Sequence, residues 1–293
     1  MKKRGKIFIQ TQGGLGNQLF QFNFAHQLTE LFKDYTVYLI DGSIGTDRKF
    51  ALGGALDTCA HLSKNWRGTK MGKDYLRLLY GLKRRLPHFK FFNYALLAPD
   101  SAFLDPNLFV LKMIECKSRV LYVRGDFINN RFPVSQCLIH SIQNLESEST
   151  RNKEYHDVVV HIRRGDYLIH QNYGPLSLEY FERILNHFPI EYNVLVHTDD
   201  GEYVSQNLKT KQRISVVGKE ASPFELLKDS QRALYFVGSN STLSWWAATL
   251  FQLGSKADPS GVLMPRLWFR NQTMVDHNLV SQGWSLFDPI WDK

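Results

Sequence analysis

Residues 157–170 read DVVVHIRRGDYLIH. Val158, Val159 and Val160 are three β-branched residues in a row, as in a strand buried on both faces. Directly after them come His161, Ile162, Arg163, Arg164, Gly165 and Asp166. Sheets in α/β proteins hold their ligands at the carboxyl ends of the strands, and the two arginines stand at such an end. A guanidinium there offers a planar, permanently charged, two-pronged grip on phosphate or carboxylate oxygens. One of the pair can instead hold the loop by pairing with Asp166. Neighbours leaving an extended strand point to opposite sides, so only one faces a ligand unless the chain bends.

The segments after this stretch continue an alternating βα series. LSLEYFERILNHF (176–188) predicts a helix with Pro175 just before it. YNVLVHTDD (192–200) predicts a strand ending in two acids. RISVVG (213–218), PFELLKDSQ (223–231) and ALYFVG (233–238) predict strand, helix and strand. SNST (239–242) then caps the helix LSWWAATLFQLG (243–254), closed by Gly254. Upstream, KIFIQ (6–10) is a strand, TQGGLGNQ (11–18) a glycine-rich turn, and the next helix carries Phe20, Phe24, Leu28 and Leu31 at helical spacing. YTVYLID (35–41) completes a βαβ unit and implies a parallel sheet. LYVRGDFI (121–128) reads as a further strand. The polar stretch 142–157 is a helix end and linker, which gives two α/β domains, 1–150 and 151–293.

The totals fit such a chain. It has 293 residues, 43% hydrophobic and 22% charged, within the range of globular proteins and long enough for two medium domains. A formal charge of +8 and a pI near 9.3 suggest an anionic partner: nucleic acid, a membrane surface or a phosphorylated ligand. Cys59, Cys116 and Cys137 are odd in number and in no metal-like spacing, so they read as free thiols in a reducing compartment. The apolar run Ile7–Ile9 is too short for a signal peptide and no segment reaches membrane-span length, so a cytoplasmic protein is expected. The sequons at Asn240 and Asn271 mean nothing there.

Four constellations carry chemistry. Gly13, Gly14, Leu15, Gly16, Asn17 and Gln18 form a loop running into a helix N-terminus, where free N–H groups and the helix dipole suit phosphate. It fails as a dinucleotide fingerprint, because Leu19 stands where the third glycine belongs, and a plain tight turn is the alternative. The second is His161, Arg163, Arg164 and Asp166. The third, Ser239, Asn240, Ser241 and Thr242, crowds a strand-to-helix junction with more small polar residues than one cap needs, which suggests a second phosphate cradle. Trp245 and Trp246 behind it read as core. The fourth, Asp199 and Asp200 after Thr198, suits a cation, or hydrogen bonds from a ribose or base, or an ordinary surface turn.

GGLGNQLFQ (13–21), HIRRGDY (161–167), HTDD (197–200) and SNSTLSWWAA (239–248) resemble, in this order, motifs of the α-1,2-fucosyltransferases, glycosyltransferase family 11. VLMPRLWF (262–269), with Pro265 and Trp268, resembles the proline–tryptophan segment that comes next in that family. The likeness runs from residue 9 to about 269. It departs at YVRGDFINNRFP (122–133), where the family usually carries an aromatic-rich segment, and that leaves the acceptor's identity open.

The resemblance implies a GT-B-like α/β fold of two Rossmann-like domains facing a cleft, the C-terminal one holding the nucleotide and the N-terminal one the acceptor. It implies inverting transfer of L-fucose from GDP-β-L-fucose to the 2-hydroxyl of a β-galactoside, with no metal and no cofactor. Arg163 would then stabilise the departing diphosphate in place of a metal. Ser241 and Thr242, with Ser239 and Asn240, would hold the pyrophosphate, Asp199 and Asp200 would lie near the guanosine, and His161 would face the nucleotide. Asn17, with Gly14, Gly16 and Gln18, would lie near the phosphates or acceptor. Arg164 would hold the loop or touch a second part of the donor. Asp166 orients an arginine or serves as base, with Asp126 a second candidate for base. A bacterial enzyme decorating a lipid-linked O-antigen or similar glycan is expected, with the basic stretch 64–92 as a membrane contact or a solvated face. The alternatives are another GDP-sugar fucosyltransferase, of α-1,6 or O-linked type, and a nucleic-acid-binding protein.

Overall fold

The computed structural model describes residues 5–40, 94–97, 110–111, 114–115, 119–128, 133–144, 156–169, 172–254, 258–272, 274 and 279–292. The basic stretch 64–92 lies outside the described residues. The chain divides into two compact units, Met1–Leu145 and Glu146–Lys293.

In the first unit the described elements are β1 (Gly5–Gln10), α1 (Leu15–Leu31), β2 (Tyr35–Ile40), β3 (Tyr94–Leu97), β4 (Val120–Arg124) and α2 (Gln136–Asn144). The strands run in the order β2-β1-β4-β3, all parallel. Ile7, Phe8 and Ile9 are buried, as an apolar strand inside a parallel sheet requires. Helix α1 buries Leu19, Phe20, Phe22, Phe24, Ala25 and Leu28, and with them Gln18, Gln21 and Asn23, so it is enclosed almost all round; Leu31, expected on its apolar face, is exposed. The strand read over 121–128 ends at Arg124. Phe127 beyond it takes φ 52 and stacks on Phe24 with ring centroids 4.0 Å apart, a contact that holds a backbone conformation few non-glycine residues adopt. Cys137 is disulfide-bonded, which corrects the free-thiol reading; Cys59 and Cys116 lie outside the described residues.

The second unit comprises β5 (Val158–Ile162), α3 (Leu178–Leu185), β6 (Asn193–Thr198), α4 (Gly201–Asn207), β7 (Arg213–Val217), α5 (Pro223–Ser230), β8 (Tyr235–Val237), α6 (Thr242–Leu253), β9 (Val262–Pro265) and β10 (Ser285–Phe287). Its strands lie in the order β10-β9-β8-β5-β6-β7, again all parallel. β5 is buried at every position and packs with Phe181, Ile184, Val194 and Val196 into the core. Truncating a residue such as Phe181 to alanine is expected to cost about 3–5 kcal/mol. Trp245 and Trp246 are core, and α6 is buried continuously from Ser244 to Phe251.

The strand order fixes where a ligand can sit. From β5 the chain steps outward to β6 and β7, then returns to β8 on the other side of β5 and continues to β9 and β10. The loops leaving β5 and β8 therefore diverge and open a crevice at their carboxyl ends, the topological switch point. In the first unit the corresponding place is between β1 and β4.

Candidate functional site

Both arginines leave β5 at the switch point, and their side chains part as expected of neighbours on an extended chain. Arg163 is the more open, with 28% of its side chain exposed. Its Nη2 donates to Asp166 Oδ1 at 2.5 Å and its Nη1 pairs with Asp199 Oδ2 at 2.6 Å. The guanidinium is thereby held on two sides, with the remaining N–H protons left for further acceptors. Asp199 also accepts the backbone N–H of Arg164, at 2.8 Å, so one carboxylate fixes both the guanidinium and the peptide that carries it. A Cβ at Gly165 would collide with Asp199 Oδ2, which explains the glycine in the middle of the motif.

Arg164 is buried, with 6% of its side chain exposed. Nε donates to Asp200 Oδ2 at 3.2 Å and Nη1 to Asp292 Oδ2 at 2.7 Å. The ring of Tyr203 covers it, 3.8 Å from the guanidinium carbon to the ring centroid. A cation so enclosed is an anchor, which corrects the expectation of a donor contact from Arg164. Asp199 and Asp200, expected beside a guanosine, spend their carboxylates on the two guanidiniums. Among the described residues no group of three or more His, Cys, Asp or Glu side chains is placed to hold a metal ion.

His161 is turned into the protein. Its Nδ1 lies 2.6 Å from Ser244 Oγ, and burial, with Arg163 and His197 nearby, pulls its pKa down to about 3. It is a neutral interior imidazole at physiological pH, which corrects its assignment to catalysis and to the nucleotide face. Ser244 Oγ also accepts from Ser239 N at 3.1 Å and contacts Ser239 Oγ at 3.1 Å. Ser239 thus faces inward as well. Asn240 is 1% exposed, and its Nδ2 donates to the carbonyls of Gly174 and Trp268, both at 3.0 Å, and of Tyr173 at 3.3 Å. Ser241 Oγ caps α6 by accepting from Leu243 N at 3.3 Å. Three of the four small polar residues are therefore the framework of the turn rather than donors aimed outward. Thr242, at the first position of α6, is the half-buried one.

The turn and the arginine loop are joined by Tyr167, whose hydroxyl donates to the Asn240 carbonyl at 3.2 Å. Its ring lies 5.5 Å from the Arg163 guanidinium carbon and stacks on Tyr173. Burial pushes the Tyr167 hydroxyl above the usual phenol range against the opposing pull of Arg163, so it stays a donor.

The glycine loop forms its own cluster in the first unit. Gly13 has φ +80, a conformation that favours glycine, and the Asn17 side chain folds over it. Gly14 is the extended residue before α1 and Gly16 is buried inside the helix. Gln18, expected to meet a ligand, is buried and donates to Gly13 O at 3.0 Å, closing the loop on itself. Gln21 accepts Gln12 N at 2.9 Å and donates to Gly125 O at 3.0 Å. Gln12 Nε2 donates to Asp126 Oδ1 at 2.9 Å, so Asp126 is held by neutral amides at the exit of β4.

Sequence reasoning gave no role to Tyr167, Ser244, Tyr203, Asp292, Gln12 or Gln21. Ser244 stands three positions after Ser241, one turn along α6, which is a readable signal. Asp292 carries none, since it meets Arg164 across 128 positions.

A family model described as Glycosyl transferase family 11 matches residues 82–257. The chain is 24% identical over 289 residues to the O-antigen biosynthesis glycosyltransferase WbnK of Escherichia coli, covering 88% of this chain and 93% of that protein. Among solved structures, a glycosyl transferase of family 9 from Veillonella parvula matches with a TM-score of 0.50 at 9% identity, over 98% of this chain and 88% of that one. A mutant of Arabidopsis thaliana FUT1 in complex with GDP matches with a TM-score of 0.49 at 14% identity, over 85% of this chain and 69% of that one. The fold is the α/β, GT-B-like one expected from the sequence.

Proposed function

Because the chain belongs to glycosyltransferase family 11, we propose that it transfers L-fucose from GDP-β-L-fucose to the 2-hydroxyl of a terminal β-galactoside, with inversion. The observation that carries this reading is Arg163: a partly exposed guanidinium at the carboxyl end of β5, set at the switch point and oriented by two carboxylates. In the reaction the acceptor oxygen bonds to the anomeric carbon on the face opposite the diphosphate, and its hydroxyl proton is released to water. The bond from that carbon to the β-phosphate oxygen breaks, and its electron pair stays on the departing GDP. Arg163 meets the negative charge as it develops, and because Asp166 and Asp199 already hold it, little reorganisation is needed at that moment. An ion-paired carboxylate is a weak base, so Asp166 orients Arg163 rather than taking the acceptor's proton. In this reading one fixed cation meets the donor's charge, and the step uses no metal or cofactor.

Two further elements belong to the proposal. The relative named for O-antigen biosynthesis supports a surface-glycan acceptor carried on lipid. The proposal sets this work at the cytoplasmic face of a membrane; no described helix is long and apolar enough to cross one. Membership of a transferase family favours catalysis over the nucleic-acid-binding alternative. The test is GDP release from GDP-fucose across a panel of galactosides and other acceptors, followed by linkage analysis of the product. An α-1,2-linked fucose on galactose is expected. A different linkage, or transfer from another nucleotide sugar in preference, overturns the assignment.

A further inference from the structure

Arg164 is enclosed on more sides than a residue that merely closes a loop requires. Two carboxylates approach its guanidinium in hydrogen-bonding geometry, an aromatic ring covers its face, and its own peptide N–H is taken by Asp199. These groups come from different parts of the unit. Asp199 and Asp200 follow β6, Tyr203 lies on α4, and Asp292 belongs to the segment after β10. That segment is docked by backbone bonds: Ser177 N donates to Ile290 O at 2.7 Å and Asp292 N to Pro175 O at 2.9 Å. Arg270 Nη1 adds a bond to the Asp292 carbonyl at 3.0 Å. The Asp292 carboxylate is what reaches the arginine loop.

We infer that Asp292 is a positioning residue for Arg163, acting through Arg164. The inference rests on the function proposed above. Arg163 and Arg164 are neighbours at one strand exit, and both depend on the same Asp199 carboxylate, one through its guanidinium and the other through its N–H. With Asp292 in place the Arg164 guanidinium is pinned at Nη1 as well as Nε and cannot rotate toward the crevice. Arg163 is then the one cation of the pair presented to a diphosphate. Without the Asp292 carboxylate, the Arg164 side chain keeps Asp200 and the Tyr203 ring while its N–H stays on Asp199, and the freed Nη1 lets the guanidinium turn toward Asp199 and compete with Arg163 for the carboxylate that orients it. A small misplacement of a charge-stabilising group is enough to matter, since a shift of about 1 Å can cost on the order of 10²-fold in rate.

The experiment compares Asp292→Asn, Asp292→Glu and Arg270→Met with the parent in the full chain. Asp292→Asn keeps the shape and removes the charge. Asp292→Glu restores a carboxylate on a longer arm. Arg270→Met loosens the same segment without touching the Arg164 guanidinium. Hydrogen exchange of the Tyr167 and Leu168 amides, both bonded to Arg164 O, is read first because it needs no substrate. Exchange faster in Asp292→Asn than in Arg270→Met is expected, and equal exchange in the two overturns the inference. Turnover with GDP-fucose is read second. A fall in kcat of about tenfold or more in Asp292→Asn is expected, with a smaller change in donor KM, partial recovery in Asp292→Glu, and Arg270→Met within about twofold of the parent. Loss of rate in Arg270→Met equal to that in Asp292→Asn means that Asp292 serves only to dock its segment, and the inference fails. A parent that does not turn over GDP-fucose refutes the proposed donor instead, and the exchange comparison then decides the positioning role by itself.

Discussion

At the exit of β4 the carboxylate of Asp126 accepts from the amide of Gln12, while Gln21 binds the neighbouring Gly125 carbonyl. At the exits of β5 and β6 the carboxylates of Asp166, Asp199 and Asp200 lie against Arg163 and Arg164. Both places are switch points of parallel sheets, and both carry an Arg-Gly-Asp triplet at the end of a strand, 124–126 in one unit and 164–166 in the other. The described contacts of the first are hydrogen bonds donated by neutral amides, and those of the second are ion pairs. The same place in the sheet topology thus carries unequal chemistry. Amides select by shape and hydrogen-bond direction, as a hydroxyl-rich ligand needs. Fixed guanidiniums act on charge, as a diphosphate leaving group needs.

The sharpest way to break this contrast is at Arg163. Arg163→Lys keeps a cation but loses the planar fork, and a fall in kcat of about 10²–10³ is expected, with a larger fall for Arg163→Ala. GDP affinity measured by calorimetry should weaken in parallel, each variant being checked for folding by its melting temperature. Parent-like turnover and GDP binding in Arg163→Ala would remove the second switch point from the chemistry altogether.

The matching change in the first unit is Gln21→Leu. It removes the acceptor of Gln12 N and the amide that donates to Gly125 O and Asp126 Oδ1, and a buried polar group that loses its hydrogen bond costs about 1–3 kcal/mol. The expected readout is a lower midpoint in urea unfolding whose size does not depend on salt. A strongly salt-dependent loss would show that charge operates at this end too, and the contrast would fall.

A smaller effect is expected from acid. His161 is near its ordinary pKa of 6.5 when unfolded and is lowered to about 3 when folded. Between these values the unfolded chain takes up a proton that the folded chain refuses, so stability falls as pH drops through this window and is regained as pH rises above 6.5. His161→Asn, which preserves a group near Ser244 Oγ, should flatten the decline in melting temperature between pH 7 and pH 5. An unchanged slope would mean that the imidazole is not a buried, neutral base.

The smallest expected effect is none: EDTA leaves transfer intact, because the proposed mechanism has the Arg163 guanidinium meet the leaving group's charge. Activity lost on chelation and restored by Mn²⁺ or Mg²⁺ would make Asp199 and Asp200 ligands and undo their role as arginine partners.

How far these features could be read in advance differs between backbone and side chains. Strands β1, β5, β6 and β8 are legible because a strand inside a parallel sheet is a largely apolar run, and the edge strand β2 is legible from its β-branched and aromatic residues. β10, Ser285–Phe287, is too short and too half-buried to announce itself. The position of the arginines is legible for the same reason as β5: the run stops and charge begins. Which way a small polar side chain faces at a strand-to-helix junction is decided by neighbours such as Ser244 and Trp268, and so Ser239 and Asn240 read as donors when they are framework. Gln18 misled likewise, because a buried glutamine on an enclosed helix looks in sequence like an exposed one.

The ion pair between Arg164 and Asp292 also sets an order in time. The two residues are 128 positions apart. At the usual pace of synthesis, roughly 5–20 residues per second, Arg164 leaves the ribosome on the order of ten seconds before its second carboxylate exists. During that interval the strands from β5 to β9 can pair while one of the acids that steadies the arginine loop is still missing. The nascent second unit would pass through a stage in which most of its sheet has formed while its arginine loop still lacks the Asp292 carboxylate.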